Sequence, residues 1–191
     1  MQVGGQLSAT RLQILQNTGG YAVAGYVSSA RITMQNSIVN GNRGTVGIDG
    51  LYLSAAVAEI INSTIVDHEH GLVVDVGELD SSDLTLQNSI IGGGDFGLLL
   101  YGSNVIDVSY TWFFGHSGWD WYPAESNQIG TRGNVSQDPE FVEFTADAVG
   151  DNDDLQLAVL SPAVDAGDPA VLDSDGTTSD VGAYGGVEAA W

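Results

Sequence analysis

One short phrase recurs at a fixed interval. Ile32-Thr-Met-Gln-Asn-Ser-Ile-Val39, Ala58-Glu-Ile-Ile-Asn-Ser-Thr-Ile65 and Leu84-Thr-Leu-Gln-Asn-Ser-Ile-Ile91 place Asn-Ser pairs at Asn36, Asn62 and Asn88, 26 residues apart each time. A fixed period of this size is the mark of a solenoid, in which each repeat buries its apolar face only against its neighbours. A weaker copy, Leu12-Gln-Ile-Leu-Gln-Asn17-Thr18, precedes the three, and Val108-Ser-Tyr-Thr-Trp-Phe-Phe114 follows them. Between the copies runs a second register of Gly-apolar-x-apolar: Gly50-Leu-Tyr-Leu53, Gly71-Leu-Val-Val74 and Gly97-Leu-Leu-Leu100, with Gly20-Tyr-Ala-Val23 as a fainter relative. A five-residue insertion near Arg43–Gly47 offsets the Gly that follows Asn36.

The repeat predicts strands. Apolar residues alternate in Ile32/Met34 and Leu84/Leu86, the period of a half-buried strand. The chain has 26 Gly and only 4 Pro in 191 residues, which suits short strands joined by tight turns. The Leu-x-x-Leu-x-Leu grammar of leucine-rich repeats is missing, a propeller blade needs a longer repeat, and no Gly-X-Y period supports collagen. The expected fold is all-β: a right-handed parallel β-helix of about five coils, stacked at about 4.8 Å. The coils occupy residues 1–122, and residues 123–191 form a linker and an irregular C-terminal cap over the last coil. The Asn column is architectural. An Asn at each bend takes left-handed geometry, bonds its amide to the backbone and, coil upon coil, bonds other amides in the stack.

The C-terminal third carries the most specific motifs. Gly133-Asn-Val-Ser-Gln-Asp-Pro-Glu-Phe-Val142, Asp154-Leu-Gln-Leu157, Leu160-Ser-Pro-Ala-Val-Asp-Ala-Gly-Asp-Pro169, Asp173-Ser-Asp-Gly176 and Asp180-Val-Gly-Ala-Tyr-Gly185 follow one another. In that order they resemble the terminal region of bacterial secreted right-handed β-helix repeat proteins of the pectate-lyase-like superfamily. The resemblance implies an extracellular or cell-surface setting. It implies no single activity, since that superfamily holds lyases, hydrolases and adhesins. The start of the chain, Met1–Gln6, shows no signal peptide and no cap. Its open strand edge is available for self-association, unless coils precede it.

Charge excludes several partners. There are 25 acidic residues against 4 Arg and no Lys, a net charge of −21. Nucleic-acid binding needs clustered cations and is excluded. No apolar run is long enough for membrane insertion. The chain has no Cys, and so neither disulfides nor thiolate chemistry.

Four groups are candidate sites. Asp173, Asp175 and Asp180 surround Gly176, with Asp165 and Asp168 just upstream; such an acidic, Gly-containing loop can hold a structural calcium ion, or be a solvated turn whose side chains cap their own backbone. Asp151-Asn-Asp-Asp154 is a weaker version. The aromatic run Tyr110–Tyr122 offers Trp119, Trp121 and Tyr122, with Asp120 beside them, as a surface for a glycan ligand. The alternative is packing of the last coil and cap. His68 and His70 alternate within Asp67-His68-Glu69-His70, but the segment reads as an exposed turn.

Catalysis lacks its usual groups. Lyases of the superfamily use Lys or Arg on acidic sugars, and Lys is absent. The carboxylates Asp49, Asp67, Asp75 and Asp95 do not share one repeat column. The leading expectation is therefore a non-catalytic extracellular module for surface attachment or glycan contact. The alternatives are a fragment of a polysaccharide lyase or glycoside hydrolase, and a structural subunit stacking through its first coil.

Overall fold

The computed structural model describes residues 2–3, 5–19, 23–44, 49–76, 81–147, 149–150 and 152–189. After β1 (Gln2–Val3), the first coil holds β2 (Gln6–Thr10), β3 (Gln13–Leu15), β4 (Thr18–Gly19) and β5 (Val23–Ser28). The second holds β6 (Arg31–Gln35), β7 (Ile38–Asn40), β8 (Arg43–Gly44) and β9 (Asp49–Ser54), and the third β10 (Val57–Ile61), β11 (Thr64–Val66) and β12 (His70–Asp75). The fourth is β13 (Asp83–Gln87) and the long β14 (Ile90–Tyr101); β15 (Val105–Ser109) and β16 (Trp112–Tyr122) follow. Each strand pairs in parallel with its counterpart one coil away, Ala58 lying between Ile32 and Leu84 and Ile65 between Val39 and Ile91. The chain is an all-β solenoid of about four turns. Five strands stack in the sheet β15-β13-β10-β6-β2, so five rungs enclose four intervals. The second and third flanks merge into one sheet because β14 and β16 each run through a corner.

Most of the described corners are turned by a residue of positive φ. The first column is Arg11, Asn36, Asn62, Asn88 and Tyr110, with φ of 55°, 47°, 45°, 48° and 48°. Gln16, Gly41, Asp67, Gly93 and Gly115 make the second, and Ser29, Ala55 and Gly102 belong to the third. A single left-handed residue turns the strand sharply without interrupting the ladder, and Asn62 N–H still donates to Gln87 O at 3.0 Å. The register corrects one alignment. In the sequence Asn17 stands for Asn36, but in space Arg11 does. Asn17 instead stacks at the next corner, where its backbone N–H donates to Asn42 Oδ1 at 2.9 Å.

The serine, not the asparagine, links coil to coil. Ser37 N–H donates to Ser63 Oγ at 3.3 Å and Ser63 N–H to Ser89 Oγ at 3.1 Å, while each hydroxyl donates back to the carbonyl two residues earlier. The Gly column has a steric cause. A Cβ on Gly71 would stand 2.6 Å from Ile91 Cγ2 and 2.9 Å from Gly97 O, and one on Gly50 would stand 2.4 Å from Gly71 O. Gly20–Ala22, most of the insertion near Arg43–Gly47 and Asp151 lie outside the described residues.

The core is a stack of like residues. Ile32, Ala58 and Leu84 form one inward column, Val39, Ile65, Ile91 and Phe113 another, and Leu51, Leu72, Leu98 and Trp121 a third. A second apolar cluster lies outside the coil, where Ile38, Val66, Ile90, Trp112 and Phe114 point away from the axis yet are buried. The tail covers them. Residues 123–137 close the last coil: Ile129 packs on the core and β17 (Val135–Ser136) pairs with β16. Beyond Pro139 the chain is not a cap over the end but a strap along the flank. β18 (Phe141–Glu143) and β19 (Asp154–Leu157) form a hairpin, Phe141 and Phe144 sit edge-on to Phe114, and the strap descends to the second coil. On the first coil Leu15 is still 36% exposed.

The Asn column is the seam of that strap. Asn36 Nδ2 donates to the carbonyls of Ala183 (3.0 Å) and Gly185 (2.5 Å). Asn62 Nδ2 donates to Ser179 Oγ (3.0 Å) and Asp180 O (3.2 Å). Asp168 N–H donates to Asn88 Oδ1 at 2.8 Å. The expected amide-to-amide ladder is therefore replaced at these three positions by coil-to-tail bonds.

Candidate functional site

The strap leaves the third flank open. Outward residues of β5, β9, β12, β14 and β16 fall into two neighbouring columns. One runs Tyr26, Tyr52, Val73, Leu99, Tyr122; the other runs His70, Phe96, Trp119. Tyr26 and Tyr52 stack with centroids 5.5 Å apart, His70 lies 5.4 Å from Phe96, and Phe96 meets Tyr122 edge-on at 6.3 Å. Trp119 is 53% exposed and Tyr122 43%. Trp121, proposed from sequence alongside them, is 1% exposed. Its ring points into the core beside Phe113, and its Nε1–H donates to Ser126 Oγ at 3.0 Å. Alternation separates it from Tyr122, and burial separates it from Trp119, which has the same parity along the strand; Trp121 therefore cannot stack on a ligand.

Polar groups border the aromatic columns. Asp120 accepts from His116 Nδ1 at 2.6 Å and from Ser136 Oγ at 2.5 Å. The His116 bond is the main cause holding its carboxyl below the usual range, partly offset by burial. Asp95 accepts from Ser117 Oγ at 2.5 Å, and Asp75 from Tyr52 OH at 2.7 Å. Sequence reasoning missed Tyr26, Tyr52, His70 and Phe96, although the same spacing of 26 relates Tyr26 to Tyr52 and His70 to Phe96.

The other histidine segment differs from expectation. Asp67 and His68 are buried at the second corner, not exposed, and His68 Nε2 lies 3.1 Å from Asn42 Nδ2. The ring continues the Asn17–Asn42 stack. Asp67, Asp75 and Asp95 sit on different elements, as the sequence implied; of Asp49 only the backbone is described.

The acidic tail converges only in part. Ligand oxygens of Asp165, Asp173 and Asp180 lie within 4.8 Å of one another. Asp165 N–H donates to Asp180 Oδ1 and Asp180 N–H to Asp173 Oδ2, at 2.8 and 3.0 Å, and Gly186 N–H donates to Asp173. Burial first, then the charges of Asp173, Asp165 and Asp175, push the Asp180 carboxyl up. Asp175 and Asp168 stand apart from this group. Asp175 accepts from Thr177 N–H and Oγ1–H, which hold its carboxyl low. Asp168 accepts from Gln87 Nε2 at 2.7 Å and from Ala170 N–H. These two are the self-capping turn residues of the alternative reading. In the weaker acidic segment Asp153 accepts from Asn40 Nδ2 and from Thr145 N–H.

No helix of the described residues is long and apolar enough to cross a membrane. Comparison with family models, with curated proteins and with solved structures finds no match to this chain.

Proposed function

We propose that the protein is a non-catalytic module of the pectate-lyase-like kind, working outside the cell or at its surface, whose open flank contacts glycans. One observation carries this reading: Trp119 and Tyr122 both expose large rings on β16, and Phe96, which pairs with Trp119 and meets Tyr122 edge-on, joins them to His70. Aromatic faces suit the apolar faces of sugar rings, and the neighbouring carboxylates of Asp95 and Asp120 accept hydroxyl bonds. Neutral or cationic glycans fit best, since a chain of net charge −21 repels polyanions. A glycan array with the parent, Trp119→Ala and Tyr122→Ala tests it. Binding by the parent that both variants lose supports the reading; a parent that binds no glycan rejects it.

Calcium belongs to the same proposal as a structural ion for the strap. Asp165, Asp173 and Asp180 offer an all-oxygen set, but two of the three already accept backbone N–H bonds. They supply fewer than the six to eight oxygens that calcium takes, so water would complete the shell. A melting temperature that is the same in EDTA and in millimolar calcium would rule the ion out.

A further inference from the structure

We propose that a groove on the outer face of the β2–β15 sheet, at its C-terminal end, is a second binding site, for one neutral sugar ring. It shares no residue with the aromatic flank, and its case is separate.

The first sign is an exception in the corner column. Three successive coils place Asn at this bend, a residue that tolerates left-handed geometry. The last coil places Tyr110 there, at φ 48°. An aromatic residue in this region is uncommon, and such outliers persist only where the surroundings hold them. Across from it Arg132 is also left-handed, at φ 54°, and Gly133 follows at φ 76°. Tyr110 N–H donates to Arg132 O at 3.0 Å. A Cβ on Gly133 would stand 2.4 Å from Tyr110 Cδ1, so the ring rests directly on the Gly133 backbone. Two adjacent departures thus bring a phenol ring and a guanidinium to one wall.

That wall borders a cavity of about 410 Å³, within the range of small-ligand sites. Its floor is the outward face of β13 and β15, where Thr85 pairs with Asp107 and Gln87 with Ser109. Asp168 from the strap closes the far side. Arg132 bonds Asp107, and Gln87 bonds Asp168, which orients both carboxylates.

The lining selects the ligand class. One cation against two carboxylates disfavours an anion. A single aromatic ring is too little for a quaternary-ammonium cage. Carboxylates, hydroxyls and a guanidinium can accept and donate to several hydroxyl groups, while one ring face covers an apolar sugar face. A neutral pyranose meets all of these terms.

Proton–nitrogen NMR titration of the full chain with glucose, galactose, mannose and N-acetylglucosamine tests the site. At least one sugar should shift the amides of Thr85, Gln87, Ser109 and Arg132 and saturate. Tyr110→Phe should keep the affinity, and Tyr110→Asn should weaken it about tenfold. Thr85→Arg, at an exposed position far from the core, should abolish the shifts by filling the floor. The proposal is overturned if no sugar moves these amides, if Tyr110→Asn binds like the parent, or if Tyr110→Phe loses binding as fully. Shifts confined to Phe96–Tyr122 would also overturn it, while leaving the aromatic flank as a glycan surface.

Discussion

Replacing Asn62 separates two roles that the corner column combines. Its amide donates to Ser179 Oγ and Asp180 O, and its backbone sits at φ 45° with the side chain 1% exposed. Removing the two bonds costs about 1 kcal/mol each. Placing Ala in left-handed geometry adds about 1 kcal/mol over Asn. Asn62→Ala should therefore lose about 3 kcal/mol, a fall of roughly 6–12 °C in melting temperature for a domain of this size. Asn62→Gly loses the same two bonds, while the ease with which Gly adopts left-handed geometry offsets the freedom it gains unfolded, so it should lose about 2 kcal/mol. Urea unfolding of the two variants measures the difference. Hydrogen exchange adds a local readout: the amides of Gly182 and Ala183, bonded to Asn88 O and Thr64 Oγ1, should exchange faster in both. Equal destabilisation by Ala and Gly would remove the backbone argument. Losses below about 0.5 kcal/mol in both, the size of an ordinary surface change, would show that the seam does not hold the strap.

Two further outcomes follow from packing and charge. Gly71→Ala places a methyl group 2.6 Å from Ile91 Cγ2 and 2.9 Å from a backbone carbonyl; overpacking of this kind costs about 1–3 kcal/mol, read by thermal unfolding, and an unchanged midpoint would mean that the coils separate freely. Asp180 is raised in the folded state, so the folded chain binds the proton more tightly than the unfolded one. Stability from this group falls as pH rises from the usual Asp range through the raised value, and stays low above it. Asp180→Asn should raise the melting temperature at neutral pH and flatten that part of the profile. A variant less stable than the parent at neutral pH would contradict the cause assigned to the shift.

The coil was legible because its period is carried by residues with steric duties. Asn36, Asn62 and Asn88 mark one corner, and Gly50, Gly71 and Gly97 mark a place without room for a Cβ. The alternation in Ile32–Met34 marks the strand between them. The path of the tail was not legible, since motifs such as Leu160–Pro169 show turns but not what they lie against. One signal did exist. β7, β11 and the start of β14 read as unbroken apolar pairs, Ile38-Val39, Ile65-Val66 and Ile90-Ile91, where β6 and β13 alternate. A strand apolar on both faces is buried on both, and a single-walled coil cannot do that without a cover. At the candidate sites, composition found the aromatic run and the acidic turn, but only burial in the folded coil separates Trp121 from Trp119, which has the same parity along β16. Likewise the hydrogen bonds of Asp168 and Asp175, which withdraw them from the acidic group, depend on partners that spacing does not reveal.

The covered flank constrains where this molecule meets others. A three-sided solenoid has three outer faces, and one is spent on the strap: Ile38, Val66, Ile90, Trp112 and Phe114 are buried by the chain's own tail. The corner beside it carries buried amides engaged with backbone atoms of the tail. Neither offers a partner a surface without first displacing the strap, at the cost of exposing those five side chains, each worth about 1.5–3 kcal/mol when fully buried. The two remaining faces differ in kind. The flank of β5 to β16 is aromatic with carboxylates at its border, and the face of β2 to β15 is polar, with its cavity where Tyr110 breaks the Asn column. The described strap engages the second coil through Asn36, and the first coil's Leu15 is partly exposed. Displacement from that end breaks the Asn36 bonds first, and the strap should therefore open from its C-terminal end, with the amide of Ala189 exchanging before that of Ala163.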